Sequence, residues 1–140
     1  MKKSLTLPAV IENLDRVLSF AEDYLIRAGC PAKKLMQFQI AVEEVYVNIA
    51  HYAYEEAGGT ATVELDTARE PARVSITFID SGKPYNPLEK EDPDITLPVQ
   101  ERQIGGLGVY MVKKLMDEVT YEYRDGRNIL VITKEIGCSE

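Results

Sequence analysis

Two stretches in the first half of the chain have the hydrophobic periodicity of amphipathic helices. From Ile11 to Ala28 apolar side chains recur at three- and four-residue spacing, and Gly29 is placed to end the helix. Pro31-Ala32 opens a second stretch with the same spacing, which runs to about Tyr54. The pattern therefore predicts two consecutive helices, each with one face buried against the rest of the protein.

Alternation of apolar and polar residues predicts strands before and after these helices. A short strand is expected at Ser4–Leu7, ahead of the first helix. Two more are expected at Ala61–Asp66 and Val74–Asp80, after the glycine pair Gly58-Gly59 interrupts the helical pattern. The two later segments follow each other closely, and we expect them to pair.

The last third of the chain has the pattern of a helix followed by a β-hairpin. A short helix is expected at 109–116, and the turn Asp125-Gly126 joins strands at 119–124 and 129–133. Runs of strands stand beside helices without strict alternation. This order favours an α+β two-layer sandwich with a mostly antiparallel sheet.

About twenty residues between Lys83 and Gln103 show no sustained periodicity. They contain four prolines, and charged residues dominate the run from Glu89 to Asp94. Loops of this length in compact domains are typically lids, binding loops or mobile segments. We therefore expect a lid at about 83–104, and we interpret its charged run as solvated rather than as a docking surface.

Composition narrows the class of protein. The chain has 140 residues, of which 45% are hydrophobic, and this fits one domain over residues 1–140. Its formal net charge of -7 disfavours direct nucleic-acid binding. No apolar segment is long enough for a signal peptide or a membrane span. Cys30 and Cys138 lie far apart and His51 is the single histidine, so we expect no zinc site and a cytoplasmic location.

Glu44 and Asn48 are the first pair of candidate functional residues. They occupy positions i and i+4 of the second predicted helix, one above the other on one face. A carboxylate can act as a general base, and an asparagine amide oxygen suits a hard cation such as Mg²⁺. A solvated polar stripe is the alternative, but the apolar neighbours of Asn48 indicate a partly buried amide that needs a partner.

Asp80 and Gly82 follow directly from an apolar strand. A carboxylate at a strand end is placed to accept a hydrogen bond from an exocyclic amine, and Gly82 lets a flat ligand approach the backbone. The alternative is an ordinary Asx turn that leaves the strand.

The residues from Ile104 to Met111 combine a glycine-rich turn with the start of a helix. Free backbone N–H groups and the positive end of the helix dipole would face such a turn, which suits phosphate. The sequence lacks the Gly-Lys-Ser/Thr of a Walker loop, and no strand directly precedes it as in the dinucleotide fingerprint. A flexible hinge at the end of the long loop is the alternative.

Taken together and in this order, the three stretches resemble the N box, G1 box and G2 box of the GHKL ATPases. Their residues are Glu44-x-x-x-Asn48, Asp80-x-Gly82 and Gly106-x-Gly108. Within that superfamily the chain is similar to the small anti-sigma-factor serine/threonine kinases of the RsbW and SpoIIAB type, over nearly its whole length. The resemblance implies a Bergerat fold, with helices on one face of a mixed, mostly antiparallel sheet and ATP between the helices and the lid.

The resemblance also implies roles for individual residues. Asn48 would coordinate Mg²⁺ that bridges the phosphates, and Glu44 would act as general base on an incoming hydroxyl. Asp80 would accept a hydrogen bond from the adenine amine, while Gly82 would line the adenine pocket. Thr133, on the last strand, would add a water-mediated contact to adenine.

The remaining expected residues lie in or beside the lid. Gly106 and Gly108 would let the lid and the helix start close over the phosphates, with Gly105 as a hinge. Arg102 is the cation that we expect to neutralise the γ-phosphate. One departure from the family pattern is that Tyr52-Ala53-Tyr54 stands where many of these kinases have His-Ala-Tyr.

The function that the resemblance implies has two parts. The chain would phosphorylate a serine or threonine of a small STAS-type anti-sigma-factor antagonist, and it would bind a sigma factor or a similar target directly, with a homodimer as a further expectation. The alternative is a nucleotide-responsive binding module that transfers no phosphate. Glu44 favours the kinase, because a module that only binds nucleotide needs no base.

Overall fold

The computed structural model describes residues 2–54, 58–69, 71–89 and 106–137. Its strands are β1 (Lys2–Pro8), β2 (Thr60–Ala68), β3 (Arg73–Asp80), β4 (Glu118–Arg124) and β5 (Arg127–Glu135). Its helices are α1 (Leu14–Arg27), α2 (Ala32–Tyr52) and α3 (Gly106–Leu115), with 3₁₀ turns at Ile11–Asn13 and Pro87–Glu89. The five strands form one sheet in the order β1-β2-β3-β5-β4, and every neighbouring pair is antiparallel.

The connection between α1 and α2 is set by three consecutive residues. Gly29 has a φ of 89°, which ends α1 in the left-handed region that favours glycine. The Gly29 N–H donates to the Ile26 carbonyl oxygen at 3.1 Å, and the Cys30 N–H donates to that of Leu25 at 3.0 Å. This pair of bonds is a Schellman motif. Pro31 then adopts an extended backbone and starts α2.

The core lies between the helices and one face of the sheet. Alternate strand residues are buried there, and a one-residue slip of β3 would move Ser75 and Thr77 into the core in place of Ile76 and Phe78. The hydrophobic pattern therefore fixes the strand register. The largest fully buried side chains of the two layers are Val17, Leu25, Phe38, Val42, Tyr46, Val63, Leu65, Val74, Ile76, Phe78 and Ile132.

Two packing relationships position the candidate site. Helices α2 and α3 pack against each other, and β3 pairs with β5 so that Asp80 lies opposite Asn128. The end of β3 therefore lies under the C-terminal half of α2, beside the first turns of α3. The turn that precedes β5 has positive φ at Asp125 and Gly126, as a type I′ hairpin requires.

The α+β sandwich with helices on one face is confirmed. Within the described residues the sheet is antiparallel throughout, rather than mixed, because hairpin connections join β2 to β3 and β4 to β5 and the remaining pairings keep the same sense. Helix α3 begins at Gly106, three residues before the expected start, because the glycine-rich stretch itself is helical from that point. No helix in the described parts of the chain has the length and apolar character to cross a membrane.

The segment expected to form a lid is described only at its beginning. Residues 83–89 pass along the end of the sheet and finish in the Pro87–Glu89 turn. The Lys83 N–H donates to the Ala53 carbonyl oxygen at 3.0 Å, which ties this beginning to the end of α2. The rest of the expected lid lies outside the described residues.

Candidate nucleotide-binding site

A cleft of about 610 Å³, including the space open to solvent at its mouth, lies between α2, α3 and the end of the sheet. Aliphatic and aromatic side chains form most of its wall, and a few polar groups converge on it. This combination is typical of a small-molecule site, in which apolar walls enclose the ligand and polar groups orient it. The apolar lining includes Val45, Ile49, Phe78, Val109, Val112 and Leu130, and the polar lining includes Asn48, Asp80, Lys83, Tyr121 and Asn128.

Asp80 places a buried carboxylate in the cleft. Its side chain is 6% exposed, and its Oδ1 accepts hydrogen bonds from the Gly82 N–H and from Asn128 Nδ2, both at 2.9 Å. Among the described residues nothing donates to Oδ2 of Asp80. One oxygen is therefore held by the protein, and the other remains an acceptor for a ligand donor.

Gly82 lets the chain pass directly against the end of α2. A Cβ atom at this position would lie 2.1 Å from the Ala53 carbonyl oxygen, which is closer than any side chain can approach. The contact is with backbone, so no rotation of a side chain could relieve it. Glycine is therefore required where the residues after β3 cross α2.

Tyr54 also links the end of α2 to the residues that follow β3. Its hydroxyl donates to the Thr60 carbonyl oxygen at 2.6 Å and accepts from the Ser81 N–H at 2.8 Å. The ring occupies the space where a Cβ of Gly59 would lie, 2.3 Å from the nearest ring carbon. The end of α2, the start of β2 and the residues after β3 are thus held together by one side chain.

Glu44 and Gly108 meet where α2 and α3 pack. A Cβ atom at Gly108 would lie 2.2 Å from Oε1 of Glu44, so α3 can approach the carboxylate only because residue 108 has no side chain. Burial raises the pKa of Glu44, and the negative charge of Glu43 raises it further. The carboxylate is therefore more basic than that of a glutamate in water.

Asn48 lies one helical turn after Glu44 and lines the cleft. The described residues contain no cluster of three or more histidine, cysteine, aspartate or glutamate side chains that could hold a metal ion. Mg²⁺ typically binds through one or two protein ligands together with phosphate oxygens of a substrate. The amide oxygen of Asn48 fits that kind of site.

The three stretches singled out in the sequence come together. Asn48 and Asp80 line the cleft, Gly82 packs against the backbone of Ala53 beside it, and Glu44 contacts the position of Gly108. Gly106 is the first residue of α3, so the N–H groups of that first turn lack acceptors within the helix. Two expected residues, Arg102 and Gly105, lie outside the described residues.

The structure does not bring Thr133 to the cleft. Thr133 pairs with Ser75 in the register of β3 and β5, and the two hydroxyls hydrogen-bond at 3.1 Å. Ser75 lies between the buried residues Val74 and Ile76, so this pair occupies the sheet face opposite the helices. The expectation that Thr133 contacts a base is therefore wrong. Side chains of β5 point to the two faces of the sheet in alternation, and Thr133 points away from the cleft.

Asn128 stands in the cleft instead, and sequence reasoning missed it. It is 6% exposed and shares the inward face of β5 with Leu130 and Ile132. The alternation of β5 could have identified it, because an amide at an inward position of an apolar strand needs buried hydrogen-bond partners. Tyr121, on β4, is a second missed residue, and its hydroxyl donates to Oδ1 of Asn128.

Comparison with known proteins gives a consistent result over most of the chain. Residues 7–134 match the model of a family described as the histidine kinase-like ATPase domain. The chain is 25% identical over 130 residues to the serine/threonine-protein kinase BtrW of Bordetella bronchiseptica, which covers 93% of this chain and 91% of that protein. It is 27% identical over 134 residues to the serine-protein kinase RsbW of Bacillus mycoides, with 93% and 82% covered.

Two solved structures share the fold. The RsbU and RsbW domains of Rv1364c from Mycobacterium tuberculosis match with a TM-score of 0.72 and 17% identity, over 99% of this chain and 33% of that one. A chain of the SiaB-SiaC complex from Pseudomonas aeruginosa matches with a TM-score of 0.58 and 16% identity, over 94% of this chain and 89% of that one. At these identities the likeness concerns the fold.

Proposed function

Because the chain belongs to the family of histidine kinase-like ATPase domains, we propose that it binds ATP with Mg²⁺ in this cleft and phosphorylates a partner protein on serine or threonine. One observation carries the proposal. Three stretches far apart in sequence meet at or beside one cleft: Asn48 on α2 and Asp80 at the end of β3 line it, and Gly108 in the first turn of α3 lies against Glu44 next to it. Each supplies a different part of what an adenine nucleotide requires.

The adenine end of the site lies at Asp80. The free oxygen of its carboxylate accepts a hydrogen bond from the exocyclic amine, while apolar side chains such as Ile49 and Leu130 enclose the ring. The backbone at Gly82, which packs directly against the Ala53 carbonyl oxygen, borders this end of the proposed site.

The phosphate end lies between Asn48 and the start of α3. The N–H groups of the first turn, from Gly106 onward, have no acceptors within the helix and would bind phosphate oxygens, whose negative charge the helix dipole favours. Asn48 would hold Mg²⁺, which would supply charge neutralisation for the phosphates. Gly105 and Arg102 complete our proposal as a hinge and as the γ-phosphate cation.

Glu44 is the proton acceptor for the transfer. As the serine or threonine oxygen bonds to the γ-phosphorus, the hydroxyl proton passes to the Glu44 carboxylate and the bond from the γ-phosphorus to the bridging oxygen breaks, releasing ADP. Burial and the charge of Glu43 raise the pKa of Glu44, which strengthens it as a base. The rest of catalysis is positioning and charge neutralisation.

The relatives support a proposal about the partners. Both named relatives are protein kinases for serine or threonine, and one fold neighbour was solved as a two-protein complex. We propose that the substrate is a STAS-type anti-sigma-factor antagonist and that a sigma factor or similar target is bound directly, by a homodimer in the cytoplasm. Phosphorylation of the antagonist would then decide which of the two proteins this chain holds.

A thermal-shift series tests nucleotide binding and the role of Asn48. Saturating ATP with Mg²⁺ is expected to raise the melting temperature by about 5–10 °C, and omission of Mg²⁺ is expected to remove most of that shift. In Asn48→Ala the shifts with and without Mg²⁺ should become equal. Thr120→Val, an exposed substitution on β4, serves as the matched control. An unchanged melting temperature of the parent protein at millimolar ATP would refute the proposal.

A labelling experiment tests phosphoryl transfer. The purified protein is incubated with γ-labelled ATP and STAS-type proteins from its source organism, and mass spectrometry locates any phosphoserine or phosphothreonine. Glu44→Gln should bind ATP as the parent does but lose transfer by about 10²-fold or more. Binding without transfer in the parent protein would instead support the nucleotide-responsive module.

A further inference from the structure

We infer that Asn128 is a positioning residue for base recognition, which holds the Asp80 carboxylate so that one oxygen is presented to the amine of the base. The inference rests on the proposed function, because it concerns how the same cleft distinguishes adenine from a purine without that amine. Asn128 lies directly opposite Asp80 in the pairing of β3 and β5, and both side chains are buried.

All hydrogen-bonding groups of the Asn128 amide have partners within the protein. Its Nδ2 donates to Oδ1 of Asp80 and to the Lys83 carbonyl oxygen, each at 2.9 Å, with the Gly82 carbonyl oxygen at a marginal 3.5 Å. Its Oδ1 accepts from the Tyr85 N–H at 3.1 Å and from the Tyr121 hydroxyl. Two donor hydrogens and two acceptor lone pairs are thereby used. Asn128 has nothing left for a ligand and must act through Asp80.

The orientation of this amide is fixed by its backbone partners. Exchange of Nδ2 and Oδ1 would turn an oxygen toward the Lys83 carbonyl oxygen and toward Asp80, and an NH₂ group toward the Tyr85 N–H. Each of those contacts would join two acceptors or two donors. The donor side of Asn128 therefore faces Asp80 in the folded protein.

The consequence for Asp80 is a carboxylate that cannot rotate freely. Oδ1 is held by two donors, the Gly82 N–H and Asn128 Nδ2, which come from different segments of the chain. Without Asn128 only the local Gly82 bond would remain, and the carboxylate could turn about its Cβ–Cγ bond. A pre-oriented acceptor binds its donor more tightly than one that must first be ordered.

The test compares two nucleotides that differ by one amine. Dissociation constants for ATP and for purine riboside triphosphate, which has hydrogen in place of the 6-amino group, are measured by calorimetry with Mg²⁺. The parent protein is expected to bind ATP about tenfold or more tightly than the analogue, because the analogue leaves the Asp80 oxygen unpaired. The ratio of the two constants, rather than either value, reports base recognition.

Asn128→Asp is the sharpest variant. It keeps the volume of the side chain and the acceptor for Tyr85 and Tyr121, and it replaces the donor toward Asp80 and Lys83 with an oxygen, adding a negative charge beside the Asp80 carboxylate. At pH 8 its ATP preference is expected to fall to about twofold or less, mainly through weaker ATP binding. Asn128→Ser, whose hydroxyl is too short to bridge the same partners, should give the same loss and replaces the first variant if that does not fold. Thr120→Val should keep the parent ratio.

The outcomes distinguish failure of the positioning role of Asn128 from failure of the proposed function. Equal weakening of both nucleotides in the Asn128 variants, or an unchanged ratio, overturns the positioning role while leaving nucleotide binding intact. A parent protein that binds neither nucleotide overturns the proposed function and this inference with it. A ratio that collapses only in the Asn128 variants supports the inference.

Discussion

Gly108 and Glu44 are in contact across the packing of α3 on α2, such that a Cβ atom on the glycine would lie 2.2 Å from the carboxylate oxygen Oε1. The two residues are 64 positions apart, and they belong to the stretches that the sequence pattern singled out separately. Their contact means that the position of the proposed base and the approach of the proposed phosphate-binding helix are set by the same interface.

Gly108→Ala is expected to slow phosphoryl transfer without unfolding the protein. The methyl group would displace the flexible end of Glu44, while alanine favours the helix over glycine by up to about 1 kcal/mol. Misplacement of the base by about 1 Å should reduce the transfer rate by about 10²-fold. The rate at saturating ATP and the melting temperature are measured together. A rate equal to that of the parent would separate Gly108 from the base.

Gly82→Ala, unlike Gly108→Ala, is expected to destabilise the protein, because its Cβ would meet backbone. The Ala53 carbonyl oxygen lies 2.1 Å from that position and cannot move without the end of α2. The substitution should lower the free energy of unfolding by about 1–3 kcal/mol, seen in urea denaturation, and weaken ATP binding as well. Comparison with Gly108→Ala is the internal control, and equal stability of the two variants would contradict the account.

Glu44→Gln should change how stability depends on pH. The pKa of Glu44 is raised by burial and by Glu43, so the folded protein binds this proton more readily than the unfolded chain does. The parent protein therefore loses stability as pH rises from the ordinary glutamate pKa through the raised one. Glutamine does not titrate, so the melting temperature of the variant minus that of the parent should grow over this interval and then level off.

The control for that measurement is Glu22→Gln, an exposed glutamate on α1. Its melting temperature should follow the parent protein across the same pH range. A Glu44→Gln curve parallel to that of the parent would show that ionisation of Glu44 carries no cost in the folded state.

Tyr54→Phe should loosen the segment after β3. The variant leaves the Ser81 N–H and the Thr60 carbonyl oxygen without their shared hydroxyl, at a cost of about 1 kcal/mol each in these partly exposed positions. We expect a lower melting temperature and an ATP dissociation constant raised several-fold. Tyr123→Phe, with a 45% exposed ring on β4, is the matched control. An unchanged dissociation constant would show that Tyr54 supports the fold alone.

The secondary structure was predictable because its causes are local. The stop of α1 at Gly29 and the hairpin at Asp125-Gly126 depend on the backbone freedom of glycine and aspartate at those positions, and both are present. The resemblance to the GHKL kinases is likewise confirmed, since it depends on residue types and their order. The start of α3 at Gly106 was missed because a glycine-rich turn gives no helical signal of its own.

What could not be predicted depends on pairing between distant strands. Which residue faces Asp80 is decided by the register of β3 on β5, and that register selects Asn128. The expectation for Thr133 came from resemblance and not from the alternation of β5, which turns Thr133 to the other face beside Ser75. Contacts such as Gly108 with Glu44 are likewise invisible until the helices pack.

The attachment of α2 at its C-terminal end has a consequence for what the cleft accepts. Asn48 precedes Ala53 by five residues, a rise of about 7.5 Å along one rigid helix, and Ala53 is joined by hydrogen bond to Lys83, close to Asp80. The spacing between the proposed metal-binding amide and the proposed base-reading acid is therefore set largely by one helix and the hydrogen bond at its end. We expect such a cleft to select its ligand by length, because a molecule whose charged end lies one linkage nearer to its ring, or farther from it, would not reach Asn48 and Asp80 at once.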